Sequence, residues 1–531
     1  MDGATQAPST AFEKHRLAIE ARRRANKPTI TSDALVELVT EFIADIDHKL
    51  TQLLNPILHH DRFKQLESAW RGLHYLVSHT ETGVDLRIRV LDVSKVDLMQ
   101  DLTRPDNGWV RSAIFKRIYE EEFGVLGGEP YACLIGDYYF DHTSADVDLL
   151  QHLAHIAAAS HAPFIAAAAP HLMGIRSWRE LDSLKDLASV LDAPDQIEWR
   201  SLRESADARY VSLVLPRVLA RTPHVASGSL DEFAFTESTE TVADVTWINP
   251  AYAVATNINR AFRNHAWCAE IAGVDSGGIV EGLPVNPLQT DTASVHEACP
   301  LETALTDRHQ AQLAHSGLTL LFHRTNTNQV VCLDAPSLQK PVTYDDDEAT
   351  QNARRGAKLP YLFAASRFSQ YMLIIEHNRF GSFLERIDIE RRLAGWLQNY
   401  VLPDPLSATE ELRASKPLAD AKLTLREIQS IPGRYAAELM VRPHYQLPVP
   451  ASIRVELFLR MYGSGSPFVP PPYKTREPPP QQTWPSPPKE IRTPPPQQAT
   501  TPPSIIPPAT VSRPWWSRAV ANIRARLGRT N

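Results

Sequence analysis

At 531 residues and 43% hydrophobic content, the chain can bury a large core and divide into at least two domains, which excludes a mini-protein and a wholly disordered chain. Its 55 Lys and Arg against 62 Asp and Glu, a net charge of -7, argue against a protein built throughout to coat nucleic acid. The four cysteines, Cys133, Cys268, Cys299 and Cys332, lie far apart with no CxxC spacing, so neither a zinc ribbon nor a disulfide framework is indicated and a reducing cytoplasm fits.

The first residues, MDGATQAPSTAFEKHR, carry no apolar h-region, so export by a secretory signal is not expected. Residues 1–30 read as a flexible arm whose stretch AFEKHRLAIEARRRAN (11–26) predicts a short helix with Phe12, Leu17 and Ile19 as its apolar points, stopped by Lys27-Pro28. Residues 31–60 place Leu35, Leu38, Val39, Phe42, Ile46, Leu50 and Leu53 at helical spacing, with Thr31 or Ser32 as N-cap. A second amphipathic stretch, 62–79, follows a His59-His60-Asp61 turn with an aspartate cap, which predicts an antiparallel helix pair.

From residue 84 the period changes. VDLRIRVLDV alternates as a half-buried strand, whereas YACLIGD (131–137) and PFIAAAA (163–169) are the short apolar runs of covered strands. Helical patterns at 109–123, 146–160 and 180–192 lie among them, so residues 31–230 read as an α/β lobe. The longest apolar run, 153–175, is broken by His155, His161, Pro163, Pro170 and His171 and cannot span a membrane. Residues 231–465 read as a second, α+β lobe. It holds helical patterns at 255–271 and 301–316, a hairpin from LTLLFHR and VVCLD, two long helices within 360–400, and two terminal strands, RYAAELMVRPHYQLP and SIRVELFLRMY. Beyond it, residues 466–531 hold 18 of the 42 prolines and nine basic against two acidic residues, a disordered, basic, polyproline-rich tail. Near its end, RPWWSR and AVANIRARLGR suggest a short basic helix able to dock on a partner groove or an anionic membrane surface.

The search for chemistry finds no framework. There is no GxxxxGK[ST], the stretch AGVDSGGIVEG lacks the G-x-G-x-x-G spacing, and no GxSxG elbow occurs. The cysteines sit in apolar or Pro-bounded runs and read as packing. His152 and His155, spaced i, i+3, would need His161 or Asp148 to complete a metal site; without an HExxH-like framework, packing or surface use explains them better. Asp345-Asp346-Asp347-Glu348 lacks the ligand alternation of an EF-hand. No cofactor, metal or catalytic residue is expected.

Specific strings carry more than periodicity. ILHHDRFKQLESAWRGLHYLV (57–77), IYEEEFGVLGGEPYACLIGDYYF (118–140), HAPFIAAAAPHLMG (161–174), IEWRSLRESADARYVSLVLPRVLAR (197–221), AWCAEIAGVDSGGIVEGLPV (266–285), LPYLFAASRFSQYMLIIEHNRFGSF (359–383) and IPGRYAAELMVRPHYQL (431–447) stand in one order. Together they resemble the signature blocks of the large contractile-sheath subunit of bacterial type VI secretion, the TssC/VipB (EvpB) family, over about residues 31–460. The resemblance implies a two-lobed α/β to α+β structural protein that is not an enzyme. It would lie in a cytoplasmic sheath attached to the envelope through a baseplate. It would pair with a small sheath subunit of the TssB/VipA type and stack with copies of itself in helical rings around an Hcp tube.

The resemblance further implies that terminal strands pass between neighbouring subunits, which in this chain points to residues 452–462 with Ile453, Val455, Leu457 and Leu459 on one face; an ordinary edge strand within its own lobe is the alternative. Pro432-Gly433 reads as a turn, and Arg442-Pro443-His444 as the entry to the terminal strand. Trp70, Arg71, Trp199, Arg200, Arg203, Arg209, Pro216 and Arg217 fit either sheath contacts or intrachain arginine–carboxylate clamps. A ClpV-type AAA+ unfoldase would grip an N-terminal helix, by position residues 11–26, although AIEARRR is more basic than the family's helix usually is. The tail extends past the point where the family normally stops. It leaves a second reading, a sheath-like adaptor that no longer polymerises and recruits a partner through that tail. Membrane contact is expected only there.

Overall fold

Helix α1 (Ser32–Leu58) and helix α2 (Asp61–Ser78) open the described chain as the expected pair. The computed structural model describes residues 32–104, 108–125, 127–191, 193, 196–226, 233–239, 241–285, 299–313, 315–325, 327–377, 385–404, 407–409, 412, 415–427, 434–443 and 453–460. The arm helix of 11–26, with Phe12, Leu17 and Ile19, the turn residues Pro432, Gly433 and His444, and the tail 466–531 lie outside them. At the α2 start the expected aspartate cap is replaced by His60, whose Nδ1 accepts from the Arg62 N–H at 3.3 Å. Asp61 enters the first turn instead, where its charge meets the positive end of the helix dipole.

Within 84–93 the predicted alternation holds over 85–89, with Leu86 and Ile88 half-buried between exposed Asp85, Arg87 and Arg89, while Val84 and Val90 are exposed; the segment joins no sheet among the described residues. After α3 (Lys95–Leu102), the helix expected over 109–123 is broken into a 3-10 turn at Trp109–Arg111 and helical turns to Phe123, widened to π geometry at Lys116–Glu120. The next elements are β1 (Leu134–Phe140), α4 (Ser144–Ser160), β2 (Phe164–Ala168), α5 (Ile197–Glu204) and β3 (Val211–Leu215). The pattern at 180–192 resolves into a 3-10 helix at Trp178–Ser183 and a short helix at Leu187–Leu191. Strands β1, β2 and β3 are parallel neighbours, and the fully buried FIAAA of β2 and VSLVL of β3 explain why these runs carry no polar alternation.

The chain then adds β4 (Val218–Leu219), β5 (Trp247–Ile248), α6 (Ala251–His265), β6 (Ile279–Val280), α7 (Asp307–Leu313), β7 (Leu318–His323) and β8 (Val330–Cys332). The lobe boundary expected at residue 231 is not where the core divides. Strand β7 pairs parallel with β3, through Leu213↔Leu318 to Leu215↔Leu320, and β8 and β6 follow antiparallel, giving one six-stranded sheet in the order β1-β2-β3-β7-β8-β6. The apolar surface on both sides of 231 is thus buried in one core, running from Tyr75 to Phe363. The helix expected over 301–316 shrinks to α7 because Leu301 is drawn into an antiparallel bridge with Val218.

After α8 (Asp347–Gly356) comes α9 (Leu359–His377), a helix shared by two cores: Leu359, Leu362 and Phe363 pack in the first, Tyr361, Ala365, Phe368 and Met372 in the second. The second core is completed by α10 (Arg386–Gln398) and an antiparallel sheet of β9 (Leu418–Glu427), β10 (Arg434–Pro443) and β11 (Ile453–Arg460), ordered β11-β10-β9. Trp267 stacks on Phe368 at 4.6 Å between ring centres and, with Trp396 and Tyr400, forms an aromatic knot in this core. From α9 the Gln370 amide donates to the Tyr131, Ser160 and His161 carbonyls at 2.7, 3.0 and 3.1 Å and so ties the two cores together.

Candidate assembly surface

Helix α1 is built inside out for a lone subunit. Val36, Val39, Ile43, Ile46, Leu50, Leu53 and Ile57 alternate by three and four residues, the a/d seam of a coiled coil, and all of them are exposed, Leu53 by 66%. Its polar side faces the chain instead: Asp47 and Asn55 accept from the backbone N–H groups of Ala234 and Ser238 at 3.2 and 3.3 Å. Leu66 and Trp70 of α2 extend the apolar surface, Trp70 being 65% exposed. A solitary soluble helix turns its apolar stripe inward, whereas this one presents it to solvent.

Beneath the seam α2 is fixed by charge and by close approach. Glu67 accepts from Arg71 Nε and Arg221 Nε, both at 2.7 Å, and Arg221 bridges on to the buried Glu237, which also accepts from the His224 N–H at 3.0 Å. Burial alone would raise the Glu67 and Glu237 carboxyls, but the hydrogen bonds and charge of Arg221, with Arg71 at Glu67, outweigh it and hold both below the ordinary glutamate value. Gly72 lies against α6 so closely that a Cβ there would overlap the Tyr252 ring. Nearby, burial raises the Asp137 carboxyl despite the hydrogen bonds of Tyr252 and Asn249.

The arginines and tryptophans singled out from the sequence do not gather at one place. Arg217 forms a two-pronged clamp on Glu302, with Nε–Oε2 at 2.6 Å and Nη2–Oε1 at 2.9 Å, and the fully buried Glu302 also accepts from Ser177 Oγ and the Trp178 N–H. Arg203 is buried and donates to the Leu338 and His315 carbonyls, and Trp199 is enclosed in the first core. Arg71 belongs to the Glu67 network, Arg209 donates to the Ala206 carbonyl on the surface, and Arg200 is half-buried. Trp70 alone of the group is openly exposed, on α2, the helix that follows α1. Glu67, Arg221, Glu237, Glu302 and Gly72 were not legible as partners, since carboxylates and arginines up to 154 residues apart carry no shared local pattern.

The histidines are committed elsewhere. His155 Nδ1 lies 2.7 Å from Asp207 Oδ2 with its ring stacked on Trp109, and His152 Nδ1 bonds the Asp148 carbonyl at 2.7 Å. Among the described residues no group of three His, Cys, Asp or Glu converges as metal ligands, and no helix is long and apolar enough to cross a membrane. Burial pushes the Cys133, Cys268 and Cys332 thiols up, to about 12 for the latter two, which keeps them protonated and unreactive.

At the other end of the described chain, β11 pairs antiparallel with β10, Ile453 opposite Val441 and Leu459 opposite Tyr435, and so forms an edge of its own sheet. Of this strand the backbone alone is described. On the facing flank of β10 the ladder to β9 slips between Arg442 and Pro443, where proline cannot donate.

Two family profiles match the chain in succession: the EvpB/VC_A0108 tail sheath N-terminal domain over residues 40–339 and the EvpB/VC_A0108 tail sheath gpW/gp25-like domain over residues 348–460. A relative in Pseudomonas aeruginosa, type VI secretion system sheath protein TssC1, is 46% identical over 445 residues, covering 82% of this chain and 89% of that protein. Among solved structures, the helical sheath of the anti-feeding prophage in its contracted state overlaps 63% of this chain and 67% of its own, at 10% identity and a TM-score of 0.29. A chain of the baseplate of the same particle overlaps 62% and 66%, at 10% identity and a TM-score of 0.28. Scores this low describe a distant likeness and carry no weight for either fold or function.

Proposed function

The chain belongs to the EvpB/VC_A0108 tail sheath family, the TssC/VipB sheath subunits of type VI secretion, and on that premise we propose that it builds the sheath wall together with a small subunit of the TssB/VipA type. The exposed a/d seam of α1 carries this reading: it calls for a partner helix of matching heptad pattern, a role we assign to the small sheath subunit. The heterodimers polymerise around an Hcp tube in the cytoplasm, from a baseplate at the envelope, and the chain works through contacts between copies with no catalytic step.

Neighbouring subunits stay joined through β11. As an edge strand it can leave its own sheet for an equivalent position beside a neighbour's β10, keeping the same backbone hydrogen bonds and the same alternate face of Ile453, Val455, Leu457 and Leu459. The segment 11–26 is, on this proposal, the handle for a ClpV-type unfoldase that recycles the contracted wall. Electron microscopy of the chain co-expressed with its small partner tests the proposal. Ribbed hollow tubes are expected, and only monodisperse heterodimers under every condition would refute it.

A further inference from the structure

The segment 84–93 is patterned as a strand yet has no strand to pair with, and its backbone shows what is missing. From Arg87 to Val93 no N–H group has a protein acceptor among the described residues, and from Arg87 to Asp92 no carbonyl has a protein donor. After a bend at 83–85, where the Gly83 N–H donates to the Leu86 carbonyl at 3.0 Å, residues 86–93 run without turn or bend and are held in place. Arg87 Nη1 pairs with Glu129 at 2.6 Å, Arg89 pairs with Glu122 and with Glu129, and the Tyr138 hydroxyl donates to the Val93 carbonyl at 2.8 Å. Ile88 packs with Ile135 against Leu76 of α2 and Tyr252 of α6. Val84 and Val90, which share its face, are 82% and 67% exposed, and Leu91 on the opposite face is exposed too. A fixed backbone without turn or bend and with open donors and acceptors is a template for one kind of occupant, another β-strand, and its rigidity lowers the entropy cost of adding one.

Resting on the reading of the small sheath subunit as partner, we infer that residues 84–93 accept a β-strand from that same subunit, so that it grips this chain by a helix on α1 and by a strand at this segment. Two observations select this occupant. The segment adjoins the helix pair through Ile88 and Leu76, so one polypeptide seated on the α1–α2 surface reaches it. The charge at its ends is also specific: Arg87 and Arg89 are neutralised by Glu122 and Glu129, whereas Asp85 and Asp92 have no ion pair among the described residues. The incoming strand is therefore apolar at alternate positions and basic at its ends.

Hydrogen exchange on the full chain, alone and co-purified with the small subunit, tests this. In the complex the amides of Arg87–Val93 are expected to exchange roughly tenfold or more slowly than in the chain alone. Protection of α1 with unchanged exchange at 87–93 would overturn the inference and leave the partner reading standing; failure to form any complex would overturn both. Protection that appears in the chain alone as its concentration rises would overturn the assignment in favour of a second copy. Val90→Pro, which removes a donor and fixes φ, is expected to weaken the complex about tenfold at an unchanged melting temperature. Wild-type affinity in that variant would contradict the strand contact.

Discussion

The Arg217–Glu302 clamp shows how a single pair fixes this interior. Glu302 is fully buried and takes four hydrogen bonds through its two oxygens, so removing the guanidinium leaves a buried charge short of its counter-ion. Arg217→Met should lower the unfolding free energy by about 3 kcal/mol in urea titration, and adding Glu302→Gln should return part of that loss. Three further groups set the acid limb of stability. Burial pushes the His161 imidazole down to about 4 from 6.5. Above pH 6.5 both folded and unfolded chains hold it neutral; below, the unfolded chain takes up the proton first, so stability falls from about 6.5 towards 4. Glu67 and Glu237 act in the next window: their depressed carboxyls contribute stability that is present above about 4.5 and is lost as pH falls through their lower folded values. Urea melts from pH 7 to 4 should therefore slope downward, and less steeply in His161→Asn, since asparagine tolerates the left-handed φ of 51° found there.

At the scale of elements, α1 makes the sharpest prediction. Leu53→Asp and Ile57→Asp replace exposed residues, so the melting temperature of the chain alone should hold, while capture of the small subunit in a pull-down should be lost. Loss of folding in these variants would mean that the seam packs within its own chain. The helix pair, β1, β2, the β7–β8 hairpin, α9, α10 and the two terminal strands were legible in the sequence because each carries an unbroken period or a bounded apolar run. The strand pattern of 84–93 was legible as well, but a period reveals a strand and not its partner. The merging of residues on both sides of 231 into one sheet was not legible, since the parallel pairing of Leu213 with Leu318 joins segments with no local signal between them. Strand β9 was missed for a related reason: its alternation, LADAKLTLRE, sits beside Pro417 and is weakened by alanines and charges on the exposed face.

For the whole molecule, contraction needs no nucleotide on this chain if the extended wall is a packing held above the contracted one by even ~1 kcal/mol per subunit, because identical contacts sum along the sheath. Such a spring works only when subunits remain linked while they slide, and β11 is the proposed link. The proposed linkage does not draw on the basic tail 466–531, so on this account a chain ending at residue 465 should still assemble into tubes, whereas an adaptor built around the tail would lose its partner. The central claim is tested most directly by a cryo-electron microscopic reconstruction of the chain assembled with its small partner. It should show a helical tube with a partner helix on the α1 seam and Ile453–Arg460 of each subunit beside the β10 of a neighbour. A reconstruction in which the seam stays bare and every β11 remains in its own sheet would contradict it.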